Sequence, residues 1–267
     1  MWRVMAGRIG IGWIDEDRFE RSKRVRWLDL QSVFESRVLM IGAGALGNEV
    51  AKNLALSGFR KITVVDMDHV VGSNLNRCLF FTPEDARRKE SKAEAICRGI
   101  KRLSDEAEPE AVNSSIEDCN ESIFSSSDIV FGCLDNINAR LHANANAYNA
   151  GRAYIDGGMD GFLGKVMISL PPDGACLQCG MNRSHSKVAE LRFSCTGKEV
   201  VFHERRVAGE VTTTSVVSAI MVRESLKLVS GRRDLLISNT VFYDGQRNVC
   251  EEMEVELNPE CPVHVRR

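Results

Sequence analysis

No stretch of the sequence approaches the roughly 18 consecutive apolar residues of a membrane-spanning helix, so no membrane partner is expected. An excess of one charge is also missing. With 35 basic and 37 acidic residues the net charge is −2, which removes any general attraction to nucleic-acid phosphates or anionic lipid. Repeats and low-complexity tracts are absent, so disorder is expected only at the ends. The opening "MWRVMAGRIGIGWIDED" has apolar residues, but Arg8 and several glycines interrupt them and no cleavage-like segment follows. It makes a poor signal peptide, and a cytoplasmic protein is expected. Nine cysteines without such a signal argue against a disulfide framework and leave metal ligands, a reactive thiol or buried thiols.

The 267 residues suit one α/β domain, read as an N-terminal helical arm (1–36), a nucleotide-binding half (37–160) and a second half (161–267). In the arm, Arg18, Arg21, Lys23, Arg24 and Arg26 crowd a charged, helix-like stretch over 16–36. After it, "RVLMIG" reads as a buried strand, "GAGALG" as a turn, "NEVAKNLALSG" as a helix ending at Gly58 and "KITVVD" as a second strand. Helix and strand patterns alternate through residue 156, as a doubly wound sheet requires. Beyond it, "GKVMISL" and "LISNTVFYDG" read as strands on either side of a helix, "SVVSAIMVRESLKLVSG". Residues 181–212 lack periodicity and read as a long crossover loop.

Gly42, Gly44 and Gly47 have the spacing of a dinucleotide-binding turn between a strand and a helix. Glycines there permit a tight turn, close approach of backbone to phosphate and close packing of helix on strand, while the helix N-terminus offers N–H groups to an anion. Asp66, at the end of the second strand, is placed to take ribose hydroxyls. Together these predict an adenine nucleotide. Asn74 and Arg77 follow closely, and Lys92 opens the next helix. A hydride-transfer site has no need of such cations. A nucleoside triphosphate attacked at its α-phosphorus does, because charge builds on its oxygens. Asp135 follows an apolar strand and has two readings, the N-cap of the next helix or a magnesium ligand. The company of Arg77 and Lys92 favours magnesium.

Cys176 and Cys179 form a C-x-x-C pair, and Cys261 and His264 a C-x-x-H pair. Two such pairs suit a tetrahedral, structural zinc, unless His264 belongs to a loose tail. Cys97, Cys119, Cys133 and Cys250 fall in predicted helices or strands and read as packed thiols.

The glycine turn, "DMD", "SNLNR", "SKAEA" and "CLDNINAR", in that order, resemble the E1-like adenylating enzymes. That superfamily holds the ubiquitin-activating enzymes and the bacterial activators of molybdopterin and thiazole sulfur carriers. The resemblance covers roughly residues 18–264. It implies a Rossmann-like, doubly wound mixed sheet with an extended N-terminal helix, a long crossover loop and a C-terminal zinc-bound segment. Gly42, Gly44 and Gly47 would cradle ATP, Asp66 would bind its ribose, Asn74, Arg77 and Lys92 would contact the phosphates, and Asp135 would coordinate Mg2+. Arg21 resembles the family's arginine that reaches the γ-phosphate across a homodimer interface, with Arg18 close enough to compete for that role.

The implied activity is adenylation of the C-terminal carboxylate of a ubiquitin-like protein ending Gly-Gly, followed by thioester transfer to an enzyme cysteine and onward to an E2-like partner. Cys195 lies where the resemblance places that cysteine, although "KEVVFHERRV" separates it from the threonines more widely than in the compact eukaryotic enzymes. The neighbouring Lys198, Arg205 and Arg206 would favour its thiolate; an inert thiol is the other reading. "NLNRCLFF", with Cys78 after Arg77, is closer in style to the compact activators of ubiquitin-fold modifiers. A sulfur-carrier adenylyltransferase is the alternative, weakened because no rhodanese-like segment is seen. The others are a non-catalytic scaffold and an NAD-dependent oxidoreductase.

Overall fold

The computed structural model describes residues 17–181 and 209–264. Eight strands form one sheet: β1 (Arg37–Ile41), β2 (Lys61–Val65), β3 (Glu108–Val112), β4 (Ile129–Gly132), β5 (Ala153–Asp160), β6 (Leu163–Ser169), β7 (Thr240–Asp244) and β8 (Val249–Met253). Their order is β3-β2-β1-β4-β5-β6-β7-β8. From β3 to β5 neighbours run parallel, and from β5 to β8 they run antiparallel.

Alternate residues of β1 enter different cores, because successive side chains of a strand point to opposite faces. Val38 and Met40 join the first core, with Val50 and Leu54 of helix α2 (Ala45–Ser57) and Met221 of the long C-terminal helix. Leu39 and Ile41 join the second core, with Ala143 and Ala147 of the helix that follows β4. This is the layered arrangement expected of a doubly wound sheet.

The arm is not one extended helix over its described part. It forms a single 3-10 turn, Ser22–Arg24, and a short helix α1, Leu30–Glu35. Asp29 separates them in an extended conformation, and its carboxylate caps the amides of Gln31 and Ser32, so helix growth restarts there. The arm docks through Phe19 and Phe34, whose rings lie 5.0 Å apart and close over Gly58, the left-handed residue ending α2.

The polar stretch before Lys92 contains a helix missing from the sequence reading, α3 (Pro83–Arg88). It is begun by a Thr82–Asp85 capping box. Helix α4 spans Lys92–Leu103 and a single turn, α5, Ser122–Ser125. Helix α6 spans Ile137–Asn149. The bounds of strand β8 were not legible in the sequence, since all five of its residues are exposed and carry no buried pattern. Cys250 lies on it and is exposed, which corrects the packed-thiol reading; Cys133 is buried as expected, and Cys119 follows a 3-10 turn.

The C-terminal helix α7, Val211–Val229, starts earlier than its apolar pattern suggested. Glu210 is the cause. Its carboxylate accepts from the amides of Thr212 and Thr213, overcoming the weak helix preference of three consecutive threonines. The Thr212 hydroxyl, then these amides, hold Glu210 down to about 2, against an ordinary 4.5. A carboxylate lowered by folding stabilises fully above its unfolded value and loses that contribution as pH falls towards its folded value. Glu210→Ala should therefore lower Tm at neutral pH, and the gap from the unmodified protein should narrow as pH falls below 4.5, measured by thermal denaturation across that range.

Candidate active site at the strand switch point

Chain order reverses beside β1, with β2 on one side and β4 on the other. Doubly wound sheets bind ligands in the crevice outside the carboxyl ends of such strands. Two loops border it here, the glycine turn after β1 and the segment carrying Asp135 after β4.

Each glycine of the turn has its own reason. Gly42 has φ 98°, and a Cβ there would lie 2.5 Å from the Cys133 carbonyl oxygen, so only glycine lets the two loops touch. A Cβ on Gly47 would collide with the Gly42 carbonyl. Nothing lies within 4 Å of where Gly44 would carry one, and Gly44 is the N-cap of α2 without any side-chain cap bond. The open space beside a bare helix N-terminus fits a phosphate. Gly42→Ala should lower Tm and abolish ATP binding, read by thermal melting and titration with nucleotide; an unchanged affinity would contradict this packing.

Asp66 is half-buried at the end of β2. Its Oδ2 accepts from the Ala43 amide at 2.6 Å and its Oδ1 from the Asp68 amide at 2.8 Å. Burial raises its pKa above the usual carboxylate value, opposed by these two amides and by Lys92. Lys92 pairs with Asp68 at 2.6 Å with little of its side chain exposed, which aims its ammonium along the same edge. Asn74 is buried, and its Oδ1 accepts from the Val71 amide at 3.0 Å, holding the turn that leads to Arg77. Arg77 donates to the Ser73 carbonyl and to Asn76 Oδ1. A Cβ on Gly209 would lie 3.4 Å from Arg77 Cδ, so the chain re-enters α7 beside this arginine.

Asp135 is exposed and accepts no hydrogen bond among the described residues. It is not the helix cap. Asn136 takes that role, accepting from the amides of Asn138 and Ala139, which leaves the Asp135 carboxylate available at the edge. Arg21 is exposed and lies at the opposite end of α2 from the glycine turn, beside Phe19 and Gly58. The 13 residues of α2 span roughly 20 Å, so Arg21 is remote from the turn of its own chain. Cys195, Lys198, Arg205 and Arg206 lie outside the described residues.

Two groups escaped the sequence reading. Asn48, fully buried, donates to the carbonyls of Ala43 and Gly44 and accepts from the Phe80 amide at 3.0 Å, tying the turn to the Arg77 segment. Its signal was an asparagine among the small and apolar residues of the first turn of α2. Arg140 makes a two-point contact with buried Asp156, whose Oδ1 also accepts from the Tyr154 hydroxyl at 3.0 Å. This network has no local pattern, because its members lie on α6 and β5. It backs a cavity of about 470 Å³ lined by Arg140, Gly158, Lys165 and Phe242. A larger cavity, about 570 Å³, opens by Arg37, Asp128 and Ala153 at the amino ends of β1, β4 and β5, away from the glycine turn.

The second cluster lies apart from this crevice. The donor atoms of Cys176, Cys179, Cys261 and His264 all fall within 4.8 Å of one another. Cys176 Sγ is 3.8 Å from Cys179 Sγ and 3.7 Å from Cys261 Sγ, and His264 Nε2 is 3.3 Å from Cys179 Sγ. Tetrahedral zinc with bonds of about 2.3 Å to sulfur needs sulfurs about 3.8 Å apart. Burial, reinforced by the Cys176 sulfur, pushes Cys261 up to about 12, so ionised thiolates here call for a cation. His264 is packed against Tyr148, not in a loose tail.

A doubly wound sheet with a nucleotide-binding turn at its switch point and a built Cys3His cluster defines a class of α/β nucleotide-binding protein. The ThiF family model matches residues 11–263, and the chain belongs to that family. It is 36% identical over 151 residues to the SUMO-activating enzyme subunit uba-2 of Caenorhabditis elegans, covering 56% of this chain and 26% of that one. It is 36% identical over 159 residues to the NEDD8-activating enzyme E1 catalytic subunit of Dictyostelium discoideum, covering 55% and 36%. The matches thus span well under half the length of these relatives. Among solved structures, E. coli MccB with ATP superposes with a TM-score of 0.72 at 18% identity, over 88% of this chain and 68% of that one. E. coli MccB with MccA gives 0.74 at 19%, over 96% and 76%. These two likenesses establish the fold. No described helix is long and apolar enough to cross a membrane.

Proposed function

We propose that the protein is an ATP-dependent activating enzyme that adenylates the C-terminal glycine carboxylate of a ubiquitin-like protein ending Gly-Gly. The observation that carries this reading is the convergence of the glycine turn, Asp66, the Lys92–Asp68 pair and Asp135 on one strand-switch crevice. The names of the SUMO- and NEDD8-activating relatives support the choice of substrate class.

The backbone of Gly42, Gly44 and Gly47, with the α2 amides, receives the ATP phosphates, and Asp66 takes the ribose. Asn74, Arg77 and Lys92 meet the charge on the triphosphate, and Asp135 holds Mg2+. The substrate's own carboxylate oxygen attacks the α-phosphorus. The bond to the bridging oxygen breaks, pyrophosphate leaves with its electron pair, and an acyl-adenylate remains. Positioning and electrostatics suffice, and no general base is needed. The cavity beside Arg140 accommodates the extended tail of the substrate. Because Arg21 is remote from its own turn, it serves the site of a second copy in a homodimer. The Cys195 thiolate then attacks the acyl carbonyl, the bond to the AMP oxygen breaks and AMP leaves, and the resulting thioester is passed to the thiol of an E2-like conjugating enzyme in the cytoplasm.

Exchange of labelled pyrophosphate into ATP should require a Gly-Gly-ending ubiquitin-like protein; exchange without one, or none with any, would contradict the reading. Cys195→Ala should retain exchange but lose a reducible conjugate on gels. A persisting thioester would point to another cysteine, and a C-terminal thiocarboxylate found by mass analysis of the carrier would point to sulfur transfer.

A further inference from the structure

One turn apart on α6, Asn144 and Tyr148 are both buried against the Cys3His cluster. The Tyr148 hydroxyl is 2.5 Å from the Pro172 carbonyl, 2.9 Å from the Gly174 carbonyl and 3.3 Å from His264 Nδ1. A hydroxyl has one proton, and here two carbonyls compete for it, so its lone pair faces Nδ1 and accepts from that nitrogen. The proton on Nδ1 leaves Nε2, which points at Cys179, with the lone pair a metal needs.

Asn144 is oriented just as firmly. Its Oδ1 accepts from the Leu177 amide at 2.9 Å and from Ser169 Oγ at 3.3 Å. Its Nδ2 is buried with no hydrogen-bond partner among the described residues. A buried donor left in that state costs free energy comparable to a lost hydrogen bond. The Oδ1 bond to Leu177, the residue after Cys176, holds this amide against the loop that carries Cys176 and Cys179.

We infer that α6 forms the outer shell of the metal centre: Tyr148 accepts a hydrogen bond from Nδ1 of His264, Asn144 fixes the Cys176–Cys179 loop through the Leu177 amide, and metal binding thereby steadies the helix that begins beside Asp135. This rests on the reading of the cluster as a zinc site. Both residues are positioning residues, and the 13-residue helix carries their constraint to the nucleotide crevice at its other end.

The test compares the full chain with Tyr148→Phe, which removes only the hydroxyl, and Asn144→Leu, which keeps the branched heavy-atom shape while removing both polar atoms. Competition with a chromogenic chelator should show zinc held about 10- to 100-fold more weakly in each. In the zinc-loaded unmodified protein, long-range proton–nitrogen NMR correlations should show His264 protonated at Nδ1. Hydrogen exchange over residues 136–140 should slow on zinc loading, and slow less in the variants. Unchanged zinc affinity in both variants, metal on Nδ1, or equal destabilisation with and without zinc would overturn the inference and leave the zinc site standing. Failure of the unmodified chain to bind zinc would overturn both.

Discussion

Arg77→Ala should lower substrate-dependent pyrophosphate exchange by about 100- to 1,000-fold, with Asp135→Ala giving a loss of similar size. The reason is where charge develops. Attack at the α-phosphorus spreads negative charge over the bridging and non-bridging oxygens, and a pre-aimed cation stabilises that state more than bound ATP. The Ser73 carbonyl and Asn76 already aim the Arg77 guanidinium. Its loss should therefore act on kcat more than on KM for ATP. Asp135 is exposed, caps nothing and sits across the switch point from the glycine turn, so Asp135→Ala should leave Tm unchanged while raising the Mg2+ concentration needed for half-maximal exchange. Retained exchange in both variants would refute the site assignment. Binding of ATP with no exchange in the unmodified protein would favour a scaffold.

Cys176→Ser should release bound zinc and lower Tm by about 10 °C, since structural zinc contributes its binding free energy to folding. Cys176 is fully buried and joins β6 to the C-terminal segment through Cys261. With zinc lost, the surrounding core of Tyr148, Cys261 and Val263 is too small to hold that segment in place. Metal analysis by mass spectrometry and thermal melting with and without chelator provide the measurement. An unmodified protein that purifies without zinc and melts identically in chelator would refute the metal centre. Because the cluster is distant along α6 from Asp135, the variant's residual exchange should fall less than that of Arg77→Ala.

Much of this site was legible in one dimension because its parts are local. A strand, three glycines and a helix start lie within "RVLMIGAGALGNEV", and each glycine's role follows from turn geometry. Asp66 and Lys92 were likewise readable from their places at a strand end and a helix start. The departures arose where a side chain decided between neighbours. Asp29 interrupts the arm, and Glu210 starts α7 ahead of its apolar pattern. Such capping bonds stabilise by roughly 1 kcal/mol each, enough to move a helix boundary and too little to leave a periodic signal. The bounds of strand β8 escaped because its residues are all exposed, so nothing in them alternates.

By itself the sequence determined the α/β class, the nucleotide turn, the candidate residues along the crevice edge and the two candidate metal-ligand pairs. These depend on backbone periodicity and on residues close together in the chain. Tertiary structure decided which groups meet: Gly42 against Cys133, Asn48 between the turn and Phe80, Arg140 on Asp156, and Tyr148 and Asn144 behind the Cys3His cluster. Each contact joins separate elements of a twisted sheet and its helices. A buried polar group must find its partner wherever the packed interior places one, a demand that chain neighbours do not encode.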